Sequence, residues 1–280
     1  MSSFSRFPLI ALFATLCLAA CGSQPGPARA QDMGLQFLKS APEVRRPLPL
    51  RASRSFSIAD PARILVIGDS LAQGFGIFLD RRIVAQDMAA VVTNKGRTST
   101  GLARRDFYDW PAEFRAQVAE VRPDVIIAHF GANDRQAVVT DEGTKRMSSP
   151  EWDVAYRAEV RRILDIAADA RAMVYWVGPA PNRSSDLDAH MNRIRPIMAE
   201  ETRAVRARFI DVTSFVGGAE GEWVKTAFLN GKSITIRSGD GSHYTGAGYT
   251  MVADRLLADM EPRMPGMFAP TDLELAGILQ

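Results

Sequence analysis

Apolar residues gather in short runs along the chain, and between the runs they recur at every third or fourth position. Ile64-Leu-Val-Ile67 leads straight into Gly68-Asp69-Ser70. A short apolar run that ends in a turn reads as a strand buried on both faces. Phe75, Phe78, Leu79, Ile83, Val84 and Met88 then follow helical spacing. Further strands are predicted over Ala89–Thr93, Asp124–His129, Ala172–Val177 and Phe209–Val212. Helices are predicted between them. One runs from Pro111 to Val121, with Asp109 as cap, proline in its first turn and Arg122-Pro123 as its stop. Another covers Glu151–Ala170, and a third Leu187–Ala207, where Pro196 predicts a kink or a split. Thr245–Met260 closes the series. Regular alternation of strand and helix implies a parallel sheet with helices on both faces. Arg135–Pro150 reads as a polar loop. The rhythm breaks once, where Trp223–Leu229 and Lys232–Arg237 flank Asn230-Gly231, the preferred two-residue turn of a β-hairpin.

The 280 residues allow one large domain or two small ones, and the composition is that of an ordinary globular protein. A net charge of +2 gives no basic footprint for nucleic acid. The start of the chain is a targeting segment, with Arg6 followed by an apolar stretch from Pro8 to Ala20 that is too short for an ordinary spanning helix. It ends in Leu18-Ala-Ala-Cys21-Gly22, which resembles the lipobox of bacterial lipoproteins. That resemblance implies cleavage before Cys21, lipidation of its thiol and a periplasm-facing anchor in the cell envelope. Gly22, rather than Asp, fits sorting to an outer membrane. Cys17 leaves with the signal, so no pair remains for a disulfide. The expected organisation is a signal at 1–20, a tether at 21–58, a domain at 59–262 and a loosely docked tail at 263–280. Within the tether, Gln36-Phe-Leu38 is a candidate for packing or a helical turn, although the Gly-, Pro- and Ser-rich composition reads as a mobile spacer.

Ser70 stands at the carboxyl end of a strand and the start of a helix, the sheet edge where ligands bind in open parallel sheets. It is either a helix cap or a nucleophile. The loop before the last helix, Asp240-Gly-Ser-His243, should emerge at the same edge. An aspartate three residues before a histidine on a tight loop can hold the imidazole tautomer whose other nitrogen accepts a serine proton. Asn133 offers a side-chain amide, and Gly101 or Gly96 offers a backbone N–H open to close approach. With the Ser70 N–H these make three donors for a developing oxyanion. Ser70 is followed by Leu71-Ala72, so the Gly-x-Ser-x-Gly elbow of the α/β-hydrolases is absent.

Gly68-Asp69-Ser70-Leu71, the glycine-bearing loop, Gly131-x-Asn133-Asp134 and Asp240-x-x-His243 together resemble the ordered blocks of the SGNH (GDSL) hydrolases over about residues 60–260. The resemblance implies a flavodoxin-like three-layer sandwich with a five-stranded parallel sheet, to which the hairpin adds an excursion. It implies serine ester chemistry with no metal and no cofactor. Ser70 would be the nucleophile, His243 the base and Asp240 its orienter, with Ser70, Asn133 and a glycine, Gly101 before Gly96, as the oxyanion hole. The expected activity is removal of a short acyl group, acetyl first, from a cell-envelope glycan or small ester. The alternatives are transfer of the same acyl group to a sugar hydroxyl, or a catalytically dormant glycan-binding lipoprotein. No protein partner is expected. His129 reads as a buried histidine or a residue behind the site, and His190 as structural or exposed. Trp110 and Trp223 read as packing residues or sugar platforms. Arg104, Arg105 and Arg135 either steer an anionic polymer or form surface pairs.

Overall fold

The computed structural model describes residues 45–229 and 231–268. Five parallel strands form the sheet: β1 (Ala62–Gly68), β2 (Ala90–Asn94), β3 (Val125–His129), β6 (Met173–Val177) and β7 (Arg208–Ile210). Their order is β2-β1-β3-β6-β7, the flavodoxin-like arrangement with its switch point between β1 and β3. Side chains alternate along β1. Ile64 and Val66 join the core under α1 (Ser70–Ala85) and α6 (Gly246–Met260), whereas Leu65 and Ile67 join the core under α2 (Trp110–Val121), α3 (Glu151–Asp169) and α4 (Ser185–Ala204). An unbroken apolar run therefore suits this strand, because both its faces are covered.

Pro196 does not divide α4, which runs as one helix from Ser185 to Ala204. Pro196 and Asn192 both face solvent, so water can satisfy the Asn192 carbonyl that the proline leaves without an N–H. The polar loop holds a small antiparallel pair, β4 (Val138–Thr140) and β5 (Gly143–Lys145), with Val138 buried. The predicted hairpin is present but shorter than expected. It pairs β8 (Thr226–Leu229) with β9 (Lys232–Thr235), and Leu229 opposes Lys232. Gly231 has φ +76°, as a tight turn there requires. A short helix, α5 (Thr213–Val216), precedes it.

The folded body begins earlier than Ala59. Residues 45–58 form a strap rather than a tether, because Leu48 and Phe56 are buried. The Leu48 N–H donates to Val205 O (2.7 Å), that of Ala52 to Arg263 O (3.0 Å) and that of Phe56 to Pro265 O (2.9 Å). Arg45 bonds Asp165 and the buried Glu201. Likewise Met264 and Met267 after α6 are buried, and Met267 O accepts from Ala89 N (2.7 Å). The signal, Cys21, Gln36–Leu38 and residues 269–280 lie outside the described residues.

Candidate active site

The turn after β1 is dictated by close packing. Gly68 has φ +136°, and an added Cβ would stand 1.9 Å from His129 O on the neighbouring strand. Asp69 follows and caps α1, its Oδ1 accepting from Leu71 N (2.8 Å). Its Oδ2 accepts from Ala132 N (3.1 Å), which ties the turn after β1 to the turn after β3. Capping therefore falls to Asp69 and leaves the Ser70 hydroxyl available. Ser70 Oγ lies 2.8 Å from His243 Nε2, and His243 Nδ1 lies 2.6 Å from Asp240 Oδ2. With the Nδ1 proton donated to Asp240, Nε2 accepts from the serine hydroxyl.

Asp240 is fixed as an anion. Oδ1 accepts from Ser238 Oγ (2.7 Å), Ser242 N (2.8 Å) and His243 N (2.9 Å). Partial burial works to raise its pKa, but these donors and the imidazole outweigh it and hold the carboxyl well below the usual carboxylate range. The loop is braced from behind. Asn182 Nδ2 donates to Ser242 Oγ (2.7 Å), and Arg183 N to Gly241 O (3.2 Å). Arg237 is only 1% exposed and bridges the two loops, donating to Pro181 O (2.6 Å) and Gly241 O (3.4 Å). Its guanidinium carbon lies 4.7 Å from the centre of the Tyr244 ring.

Asn133 stands in the turn after β3, next to Ala132, whose N–H is held by Asp69, and its Nδ2 donates to Thr100 O (2.9 Å). The next residue, Asp134, is wholly buried. It accepts from Ala103 N (2.9 Å) and from the Tyr156 hydroxyl (2.8 Å). The two expected glycines lie in different places. Gly96 packs on the first turn of α1, where a Cβ would stand 2.4 Å from Gln73 N, and its N–H donates to Asn94 Oδ1 (3.1 Å). Gly101 packs on Asp134, where a Cβ would stand 2.2 Å from Oδ1. Burial pushes the Asp69 carboxyl up to about 7 and the Asp134 carboxyl up to about 6.

The remaining candidates have structural surroundings. His129 is buried against Val177 O (3.1 Å), and burial lowers its pKa to about 4, which keeps it neutral. His190 is buried edge-on to Trp152, at 5.7 Å between ring centres. Trp110 is buried and donates to Thr100 Oγ1 (3.0 Å). Trp223 is half-buried under the Arg183 guanidinium, 5.9 Å from its ring centre. Arg104 pairs with Asp106, Arg105 with Asp141 and Arg135 with Asp186. Arg237, Asn182 and Tyr156 escaped the sequence reading. Each makes its bracing bond to a residue far away in the chain, Arg237 to Pro181, Asn182 to Ser242 and Tyr156 to Asp134, and no local spacing marks it.

The fold is shared with solved structures of esterases and GDSL-like lipases. The chain belongs to the family described as "Protein of unknown function (DUF459)", whose model matches residues 63–259. No curated protein matches the sequence. Among solved structures, an alpha/beta hydrolase enzyme from the metagenome of Lake Arreo, Spain, superposes with a TM-score of 0.53 at 18% identity, covering 71% of this chain and 95% of its own. An acetyl xylan esterase gives 0.52 at 15% identity, over 70% of this chain and 98% of its own. A GDSL-like lipase from Bacteroides thetaiotaomicron gives 0.52 at 14% identity, over 84% of this chain and 98% of its own. At these identities the likeness is one of fold.

Proposed function

We propose that the protein is a serine esterase that removes a short acyl group, acetyl first, from a cell-envelope glycan. The observation that carries this reading is the continuous relay from Ser70 through His243 to Asp240, at 2.8 and 2.6 Å, in a helix turn capped by Asp69 instead of the serine. As the Ser70 oxygen attacks the ester carbonyl, its proton passes to His243 Nε2, and the ionised Asp240 stabilises the imidazolium. The Ser70 N–H, the Asn133 amide and the Gly101 N–H receive the developing oxyanion, whereas the Gly96 N–H is already taken by Asn94 Oδ1. Each such donor contributes roughly 10²–10³ in rate. His243 returns the proton to the departing alcohol, then activates water to release the acyl group. The side chains of His243 and Asp240 are 40% and 51% exposed, so water reaches the acyl-enzyme, which supports hydrolysis over transfer to a second sugar. The acetyl preference leans on the acetyl xylan esterase among the structural neighbours.

Ser70→Ala should lower hydrolysis of p-nitrophenyl acetate by at least about 10³-fold while leaving the thermal unfolding curve in place. Activity within a few-fold of the parent protein would sink the nucleophile assignment. The same reading anchors the enzyme in the envelope through a lipid on Cys21. A Cys21→Ser variant should then leave the membrane fraction, and its full retention there would count against the anchor.

A further inference from the structure

The sheet edge opposite Ser70 carries a cleft of about 500 Å³, within the size range of small-ligand sites. Four arginines line it: Arg51 from the strap, Arg63 at the start of β1, Arg122 after α2 and Arg171 after α3. One carboxylate, Asp124, faces them, and its oxygens are already taken. They accept from Arg54 Nε (3.1 Å) and Nη2 (2.9 Å) and from Arg63 N (2.9 Å) and Nε (3.1 Å). Arg122 and Arg171 are exposed at the mouth of the cleft, and among the described residues their guanidinium groups meet no acceptor. Both residues also hold left-handed backbone, with φ +48° and +55°. Helices ordinarily place glycine there, and a side chain makes the conformation costly. The carbonyls at a helix end favour a nearby cation, which accounts for one arginine at each helix. Arg51 and Arg63 reach the same concavity from a strap and a strand; Arg51 donates to Pro262 O (3.2 and 2.5 Å) and Arg63 to Asp124, so they add positive charge to the cleft while their own acceptors hold them in place.

We propose that this cleft binds a phosphate group. A planar guanidinium presents paired N–H donors that match the oxygens of a phosphate, and the acceptor-free guanidinium groups of Arg122 and Arg171, in a cleft made more positive by Arg51 and Arg63, are what such an anion recruits. The length of β1 separates the cleft from Ser70 by about 20 Å, so the site is distinct from the candidate catalytic residues. Either a soluble phosphate-bearing molecule or the headgroup of an anionic phospholipid supplies the same chemistry.

The test compares the full chain with an Arg122→Gly/Arg171→Gly double variant. Glycine suits left-handed backbone, so the variant is expected to fold at least as well, and loss of binding cannot be blamed on unfolding. Inorganic phosphate, titrated at constant ionic strength against sodium chloride, should give saturable binding by calorimetry and a rise in melting temperature. Both should weaken at least tenfold in the double variant and stay unchanged in Ser70→Ala. No saturable binding, equal binding by the double variant, or an equal shift with chloride would overturn the proposal. Sedimentation with phosphatidylglycerol and with phosphatidylcholine vesicles separates the sources. Preferential retention on phosphatidylglycerol, competed by free phosphate and lost in the double variant, identifies a headgroup. Phosphate binding without that preference identifies a soluble ligand.

Discussion

Asp69 takes the Leu71 N–H on one oxygen and the Ala132 N–H on the other, so the residue beside the nucleophile both caps a helix and joins two loops. Asp134, one loop further on, also joins separate elements, accepting from the Ala103 N–H and from the Tyr156 hydroxyl. Burying two carboxylates close together carries an electrostatic cost with a definite pH signature. Burial pushes Asp134 up to about 6 and Asp69 up to about 7, whereas the unfolded chain titrates aspartate near 3.9. Between these values the folded protein holds protons that the unfolded chain has released. Stability from these two residues is therefore greatest below about pH 4 and falls as pH rises towards 7. Asp134→Asn removes one titration and retains both an acceptor for Ala103 and a partner for Tyr156. The urea midpoint of this variant should decline less between pH 4.5 and 7 than that of the parent, by an amount on the order of 2 kcal/mol in unfolding free energy. Parallel pH profiles for the two proteins would refute a raised Asp134 pKa.

Elements differ in how clearly the chain announces them, and the reason is physical. Strands covered on both faces leave continuous apolar runs, so Ile64–Ile67 and Val125–Ala128 were legible without any partner in view. The helices of the three-layer sandwich are legible for a different reason: each buries one face, so its apolar residues recur at every third or fourth position. Ser70, Asn133, Asp240 and His243 stand on turns at strand ends, where short motifs carry the geometry, and that part of the candidate site could be read before the fold was known. Bracing contacts could not. Arg237 meets Pro181 across 56 positions of chain, and Asn182 meets Ser242 across 60. A buried arginine bonded only to carbonyls looks, in sequence, like any arginine at the end of a polar hairpin. The pair β4–β5 was missed because strands of three residues show too little alternation to stand out from a loop. The choice between Gly96 and Gly101 stayed open because both are small residues of one loop, and only the fold shows that they meet different neighbours.

At the scale of the whole molecule, the two edges of the sheet have separate duties. The carboxyl edge gathers Ser70, Asn133 and the Asp240–His243 loop, while the opposite edge is closed by the strap and by the segment after α6. These two segments hold each other. Phe56 is buried, its N–H donates to Pro265 O (2.9 Å), and an added Cβ on Gly266 would stand 2.2 Å from Phe56 O. Arg54 covers the Phe56 ring at 4.4 Å from its centre. The strap read as tether because prolines and arginines surround its two buried apolar anchors, Leu48 and Phe56, and so sparse a pattern has no helical or strand period. Removing the ring should therefore cost stability in the range of a core residue, about 3–5 kcal/mol for Phe56→Ala. Because the lesion lies at the edge away from Ser70, ester hydrolysis by the folded fraction should stay within about twofold of the parent well below the new melting temperature, as expected for sites that share no partners. Urea unfolding and initial rates on p-nitrophenyl acetate, measured on the same samples, read the two effects separately. A stability change below about 1 kcal/mol would return residues 45–58 to the role of a loose spacer. A large fall in rate with stability unchanged would show that the two edges are coupled through the sheet.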